Sequence, residues 1–87
     1  MPTIYIYGQR GCPYTERAVD LATIYNDSFS FQLYYPTPAQ AREIMEFSGH
    51  YTYPICFYGK QLVGGSDALA EMLQDETTSS LPTASPT

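Results

Sequence analysis

The sequence contains no tryptophan and few basic residues, and both shortages narrow the possible functions. Four Lys and Arg residues stand against nine Asp and Glu residues, which gives a formal net charge of −5. Binding to nucleic acid or to an anionic membrane surface needs clustered Lys and Arg side chains, so we expect neither partner. No apolar run approaches the roughly 20 residues that a membrane-spanning helix requires.

Cysteine and histidine are also scarce, with two Cys and one His in 87 residues. Two cysteines do not make a disulfide framework, so we expect a reducing, cytoplasmic setting. The wide spacing of Cys12, His50 and Cys56 matches no zinc pattern, and we predict no metal site formed by side chains. The chain begins without a basic segment followed by an apolar one, so we expect no secretory signal peptide.

The segment Arg-Gly-Cys-Pro-Tyr-Thr at 10–15 lies between a predicted strand and a predicted helix. Residues 3–7 alternate β-branched and aromatic side chains, and apolar residues at helical spacing follow Pro13. Pro13 suits the first helical turn, which places Cys12 at or just before a helix amino terminus. Unpaired N–H groups, the helix dipole and nearby Arg10 favour a thiolate there, so we predict a reactive cysteine. The alternative is a small buried hydrophobic residue, the usual role of a free cysteine.

The remaining pattern predicts one domain over residues 1–74, with the element order βαβ-α-ββ-α. The predicted strands are 3–7, 29–35, 55–58 and 61–63, and the predicted helices are 13–26, 38–48 and 66–74. Thr37 is expected to cap the second helix, and Ser66 or Asp67 the third. This order predicts an α/β fold with a four-stranded mixed sheet and helices on both faces. Residues 75–87 have almost nothing apolar to bury and are expected to form a disordered tail.

Three short motifs resemble those of the glutaredoxins, which have a thioredoxin-like fold. Cys-Pro-Tyr-Thr at 12–15 is similar to the active-site Cys-Pro-Tyr-Cys of that family. Thr-Tyr-Pro at 52–54 is similar to its Thr-Val-Pro, whose proline is cis, and Gly-Gly-Ser-Asp at 64–67 to its Gly-Gly-(Ser/Cys)-Asp. The three motifs occur in the family's order and spacing, and the resemblance extends over residues 3–74.

The resemblance implies a glutathione-disulfide oxidoreductase that uses glutathione as co-substrate, with Cys12 as the nucleophile. Tyr53 is implied to offer its backbone to the cysteinyl part of glutathione, and Ser66 and Asp67 to hold the γ-glutamyl end. The implied glutathione-binding residues are Arg10, Tyr14, Thr52, Tyr53, Pro54, Gly65, Ser66 and Asp67. The implied substrates are glutathionylated proteins or small mixed disulfides, and a small acidic domain of this kind is expected to be a monomer.

The second cysteine of the family motif is replaced by Thr15. A hydroxyl cannot form a disulfide with Cys12, so a dithiol cycle within this motif is excluded. What remains is a monothiol route, in which Cys12 takes glutathione from a mixed disulfide and a second glutathione releases it. Thr15 either donates a hydrogen bond to the thiolate, lowering its pKa, or is simply tolerated in the first helical turn. Cys56 lies in an apolar stretch and is expected to be buried and inert.

Two further departures concern charge. The family's Lys that faces the glycyl carboxylate of glutathione is Gln9 here, and Arg10 is the candidate to replace its charge. His50 either helps to bind that carboxylate or is an ordinary surface histidine.

Two alternative functions stay open. One is binding of an iron–sulfur cluster together with glutathione, and the bulky Pro13 is an argument against it. The other is glutathione binding without turnover.

Overall fold

The computed structural model describes residues 3–79, which form a four-stranded mixed sheet with helices on both faces. In chain order the elements are β1 (Ile4–Tyr7), α1 (Pro13–Ile24), β2 (Phe31–Tyr34), α2 (Pro38–Ser48), β3 (Ile55–Tyr58), β4 (Gln61–Gly64) and α3 (Ser66–Ser79). The strand order in the sheet is β2-β1-β3-β4, with β1 parallel to β2 and antiparallel to β3. The predicted α/β fold and element order are confirmed.

Alternation along β1 separates the two faces of the sheet. Ile4 and Ile6 are fully buried on the face covered by α1 and α3. Helix α1 contributes Ala18 and Ala22 to this core, and small residues let a helix approach the sheet closely. The main hydrophobic cluster consists of Ile4, Ile6, Ala18, Ala22, Phe29, Cys56, Leu69 and Leu73. It ties α1 to α3, and these are the two helices whose amino termini form the candidate site.

The opposite face of the sheet is aromatic and is covered by α2. The ring of Tyr7 packs edge-on against Phe57, and Phe47 of α2 lies 6.5 Å from Phe57 between ring centroids. Helix α2 begins as predicted, with Thr37 as its N-cap and Pro38 in its first turn, and ends at Gly49 in the left-handed conformation. Among its own residues only Ala41 is buried, so α2 covers the sheet less tightly than α1 and α3 do.

Several element boundaries differ from the predicted ones. Strand β2 pairs residue for residue with the four residues of β1, which limits it to Phe31–Tyr34. Helix α1 ends at Ile24, because the chain then turns through hydrogen bonds from Asn26 N–H to Thr23 C=O and from Ser28 N–H to Tyr25 C=O.

The last helix also differs from its predicted end. Helix α3 continues past Gln74 to Ser79, and no Gly or Pro interrupts that stretch. The expected disordered tail therefore does not begin at Asp75, and its remaining part, 80–87, lies outside the described residues. Within the described part of the chain, no helix has the length and apolar character needed to cross a membrane.

Candidate functional site

Cys12 is the N-cap residue of α1, as the sequence predicts. Pro13 occupies the first helical position, where its missing N–H would have no partner in any case. The Cys12 carbonyl accepts the first helical hydrogen bond from the Glu16 N–H at 3.1 Å, and its own N–H donates to the Gln9 carbonyl at 3.2 Å. These bonds hold the backbone of Cys12 while its side chain remains partly exposed.

The surroundings lower the pKa of the Cys12 thiol. The largest cause is the backbone N–H of Thr15, followed by the Thr15 hydroxyl, and the N–H of Tyr14 adds to the effect. Partial desolvation and the negative charge of Glu16 act in the opposite direction and are outweighed. The first-turn N–H groups of α1 have no partners within the helix, so they are available to stabilise the thiolate. Thiolate is the nucleophilic form of cysteine, and this position therefore favours reactivity.

Thr15 is almost completely buried, at 1% exposure, directly below the Cys12 turn. Its hydroxyl oxygen accepts a hydrogen bond from the Gln9 N–H at 3.1 Å, which leaves the hydroxyl proton to be donated toward Cys12. Of the two alternatives for Thr15, the structure therefore favours the hydrogen-bonding one. Gly8 makes this arrangement possible, since a Cβ at that position would lie 2.2 Å from the Thr15 methyl group. Sequence reasoning did not identify Gly8, because the close approach exists only in the folded chain.

Arg10 is placed differently from the expectation. Its guanidinium lies 4.3 Å from the ring centroid of Tyr35, in a cation–π contact. Arg10 is not among the groups that lower the pKa of Cys12, so the helix terminus and Thr15 account for the effect instead. Together with Gln9 and Tyr53, it lines a cleft of about 650 Å³ that α2 borders on the other side.

The other predicted glutathione-binding residues come together in a second cleft, of about 630 Å³. It lies between the Cys12 turn, the segment before β3 and the amino terminus of α3. Its lining contains Tyr14, Thr52, Tyr53, Pro54, Gly65, Ser66 and Asp67, together with Ala68 and Glu71. We call it the α3 cleft. Tyr53 lines both clefts, so Arg10 lies on the far side of Tyr53 from the α3 cleft.

The walls of the α3 cleft are formed by backbone as much as by side chains. The Tyr53–Pro54 peptide bond is cis, as the resemblance implied. Ser66 begins α3 and is buried at 5% exposure, while the Leu69 N–H already bonds to the Gly65 carbonyl at 3.0 Å. The helix amino terminus next to Ser66 presents N–H groups that favour a bound anion, such as a carboxylate.

Asp67 is one of the two acidic residues in the lining of this cleft, and it is already paired. Its Oδ1 atom lies 2.7 Å from Nη1 of Arg17, which projects from α1. Asp67 was predicted from the sequence as a site residue, whereas Arg17 was not. The available signal was a basic residue close to the amino end of a helix, where the dipole does not favour positive charge.

The remaining candidates, His50 and Cys56, are placed outside both cleft linings. The Nε2 atom of His50 lies 3.4 Å from the Thr52 hydroxyl and close to Gly65. Cys56 is fully buried in the main hydrophobic cluster, and burial raises its pKa to about 12. This agrees with the expected inert role of Cys56.

The fold and the site together define a class: a thioredoxin-like protein with a thiol at a helix amino terminus and a cis-proline in the lining of a neighbouring cleft. No protein-family model matches the sequence, and no curated protein does. Solved structures do match. A glutaredoxin from Brucella melitensis is 35% identical, the match covering 100% of this chain and 96% of that chain with a TM-score of 0.68. The chain therefore belongs to the glutaredoxin family.

Two further structures agree with this assignment. Reduced Escherichia coli glutaredoxin is 28% identical, with 86% of this chain and 96% of that chain covered and a TM-score of 0.71. The buckwheat glutaredoxin–glutathione complex is 20% identical, with 86% and 71% covered and a TM-score of 0.74, and it supports the fold alone. At the level of the family, the activity is that of a glutathione-related thiol oxidoreductase.

Proposed function

We propose that this protein is a glutathione-dependent thiol–disulfide oxidoreductase that reduces glutathione mixed disulfides by a monothiol mechanism. The observation that carries the proposal is the placement of Cys12. Its thiol lies at the amino terminus of α1, where N–H groups and the Thr15 hydroxyl lower its pKa, and Tyr14 of the same turn lines the α3 cleft. We further propose the reducing cytoplasm as the setting, since the mechanism needs Cys12 as a thiolate.

In the first step, the Cys12 thiolate attacks the glutathione sulfur of a protein–glutathione disulfide. A new bond forms between Cys12 Sγ and the glutathione sulfur, the old S–S bond breaks, and the protein thiolate leaves. The N–H groups that stabilise the Cys12 thiolate also reduce its basicity, and thiol exchange works well when the attacking thiol has a pKa near ambient pH.

In the second step, a second glutathione thiolate attacks the glutathione sulfur of the Cys12 adduct. Oxidised glutathione leaves, and the Cys12 thiolate is regenerated. One free glutathione is therefore consumed in each cycle, and the other half of the oxidised glutathione is the group that Cys12 took from the substrate disulfide. No second protein thiol is needed. Thr15 cannot form a disulfide, and Cys56 is buried with its pKa raised to about 12, which supports the monothiol route.

The α3 cleft is the proposed glutathione site. The backbone of Tyr53 is proposed to pair with the cysteinyl part, next to Thr52 and Pro54, as an extended peptide pairs with an exposed backbone edge. Ser66 and Gly65, at the amino terminus of α3, are proposed to bind the γ-glutamyl carboxylate, and Asp67 its ammonium group. The buckwheat glutaredoxin, which shares this fold, is a complex with glutathione.

The glycyl end of glutathione is proposed to pass Tyr53 toward Arg10. Tyr53 lines both clefts, so a ligand that follows its backbone leads from one into the other. Arg10 is the positive charge contributed there by the loop before Cys12, and its contact with Tyr35 restricts the guanidinium. His50 is not proposed as a ligand for this carboxylate, because it lies near Gly65 instead.

The test is glutathione-dependent reduction of a peptide–glutathione disulfide by the full chain and by Cys12→Ser. We expect turnover that requires Cys12 and a rate that rises with pH through a pKa below the ordinary ~8.5 of a free thiol. Cys56→Ser should retain turnover. Activity that survives Cys12→Ser would refute the nucleophile assignment.

Absence of turnover in the folded wild-type chain would contradict the enzymatic proposal and favour one of the alternatives. Glutathione binding without turnover would indicate a binding module. Visible absorption after anaerobic reconstitution with iron, sulfide and glutathione would indicate a cluster-binding protein.

A further inference from the structure

The ion pair between Arg17 and Asp67 links the helix that carries the nucleophile to the helix that borders the ligand cleft. The 2.7 Å contact joins Nη1 of Arg17 to Oδ1 of Asp67, and the two side chains are 51% and 83% exposed. The two residues are 50 positions apart in the sequence. The pair therefore exists only because α1 and α3 pack side by side on the same face of the sheet.

The position of Arg17 within α1 does not stabilise that helix. It lies shortly after the first turn of α1, where the helix dipole does not favour a cation. Nor does it promote ionisation of Cys12, because the groups that change the pKa of that thiol are Thr15, Tyr14 and Glu16. The charge of Arg17 therefore acts mainly on Asp67, its ion-pair partner.

The charges of the α3 cleft explain why Asp67 benefits from a cation. The two charged residues in its lining, Asp67 and Glu71, are both acidic. The γ-glutamyl end of glutathione carries an ammonium group and a carboxylate on the same carbon. An unpaired Asp67 would attract the ammonium but repel the carboxylate. Arg17 offsets that repulsion and holds one carboxylate oxygen of Asp67, which leaves Oδ2 for the ammonium group.

We propose that Arg17 is a positioning residue for the γ-glutamyl end of glutathione, acting through Asp67. This inference rests on the proposed function, since it concerns the same cleft and the same ligand. Arg17 orients the Asp67 carboxylate and adjusts the local charge to suit a zwitterion. It does not contact the reacting sulfur atoms.

The experiment measures the second-order rate constant for the reaction of the reduced protein with a peptide–glutathione disulfide. We expect Arg17→Gln and Asp67→Asn each to lower this constant about two- to fivefold, the range of an exposed ion pair. Arg17→Lys should recover part of the loss. The double variant should be no slower than Asp67→Asn alone, because Arg17 acts through Asp67. Lys60→Gln removes a positive charge from the exposed turn between β3 and β4 and serves as the charge control.

A second probe identifies the ligand group involved. It is the same peptide in disulfide linkage to glutaryl-Cys-Gly, which keeps both carboxylates of glutathione and lacks only the ammonium group. Asp67→Asn should react with this probe at least as fast as wild type does, because no ammonium group remains to be held. Adding Arg17→Gln to Asp67→Asn should cause no further loss of rate with this probe, because Arg17 acts through Asp67. The pH dependence of Cys12 alkylation should also be the same in Arg17→Gln and wild type.

Each contrary result overturns the inference in a recognisable way. Equal rates for Arg17→Gln and wild type with the glutathione disulfide show that the pair is only structural. A further loss of rate with the glutaryl probe when Arg17→Gln is added to Asp67→Asn shows that Arg17 acts on the ligand directly and not through Asp67. A shifted alkylation profile shows that it acts on Cys12. A wild-type protein that does not react at all contradicts the proposed function instead, and the two failures are thereby distinguishable.

Discussion

At position 15, a hydroxyl takes the place of a thiol, and its burial gives it a defined geometry. The Thr15 oxygen accepts from the Gln9 N–H, and the Thr15 hydroxyl is one of the groups that lower the pKa of Cys12. We predict that Thr15→Val, which keeps the shape and removes the hydroxyl, raises the pKa of Cys12. Alkylation of Cys12 by iodoacetamide at about pH 6 should then be roughly three- to tenfold slower, since a hydrogen bond to a charged group contributes about 1.5 kcal/mol or more when fully formed.

Thr15→Ser is the matched control for this prediction, because it keeps the hydroxyl and loses only the methyl group that packs below Gly8. Its alkylation profile should stay close to that of the wild type. If Thr15→Val and Thr15→Ser give the same profile, the hydroxyl has no role in ionising Cys12, and the backbone N–H of Thr15 accounts for the lowered pKa alone.

At this scale, the sequence was informative where the interactions are local. Cys12 could be placed at a helix amino terminus because Pro13 and the apolar spacing after it belong to the same short segment. The direction of Arg10 could not be predicted, since its guanidinium packs against Tyr35, which directly follows β2. Cys12 and Arg10 are two positions apart, and they differed in predictability because only Cys12 has its partners near in sequence.

At the scale of elements, α2 is the helix whose stability depends most on the capping interactions at its ends. The main hydrophobic cluster takes its described members from α1, α3, the sheet and Phe29 before β2, and none from α2. An apolar groove of about 500 Å³ is lined by residues of both α2 and the sheet, with Tyr7, Phe47 and Phe57 among them. Phe47 itself is 82% exposed. Capping interactions therefore contribute a larger share of the stability of α2 than they contribute to the stability of α1 or α3.

The capping box of α2 provides the test. The Thr37 hydroxyl accepts from the Gln40 N–H at 3.2 Å, and the Gln40 side chain accepts from the Thr37 N–H at 3.0 Å. We expect Thr37→Ala to lower the free energy of unfolding by about 1 kcal/mol. Thr37→Ser, which keeps the acceptor, should lose much less. Denaturant unfolding followed by circular dichroism measures both, and equal losses in the two variants would show that the cap contributes nothing.

The bounds of an element were predictable where a Pro or Gly residue marks its start or end. Strand β3 was predicted at its observed bounds, because Pro54 precedes the apolar run and Gly59 follows it. The end of α3 was predicted too early, since polar residues 75–79 are compatible with a helix and no Gly or Pro marks an end. Polarity alone does not end a helix whose earlier turns are already anchored in the core by Leu69 and Leu73.

At the scale of the whole molecule, the sequence could not reveal which helices meet. The Arg17–Asp67 contact and the shared lining of the α3 cleft depend on how α1 and α3 pack on one sheet face. The family motifs did indicate which segments converge, and the α3 cleft brings together all the implied glutathione-binding residues except Arg10. The motifs do not include Arg17, the residue that pairs with Asp67, because they contain only residues implied to contact the ligand.

The burial of Cys56 has a consequence for the stability of the entire fold. Burial raises its pKa to about 12, whereas in the unfolded chain it titrates near ~8.5. Below ~8.5 both states keep the proton, and the contribution to stability is complete. Between these two values the unfolded chain loses the proton and the folded chain keeps it, so stability falls as pH rises.

We predict this alkaline loss by comparing Cys12→Ser with the double variant Cys12→Ser, Cys56→Ala. The common background removes the titration of Cys12, and the tyrosines titrate in both proteins. Between pH 8 and 10, Cys12→Ser should lose about 1.5–2 kcal/mol more unfolding free energy than the double variant, as the linkage relation requires for one thiol. The cavity left by Ala lowers the stability of the double variant at every pH, so the slopes are compared rather than the levels. Parallel curves would mean that Cys56 ionises in the folded state, which would place its thiol in contact with water and reopen a redox role for it.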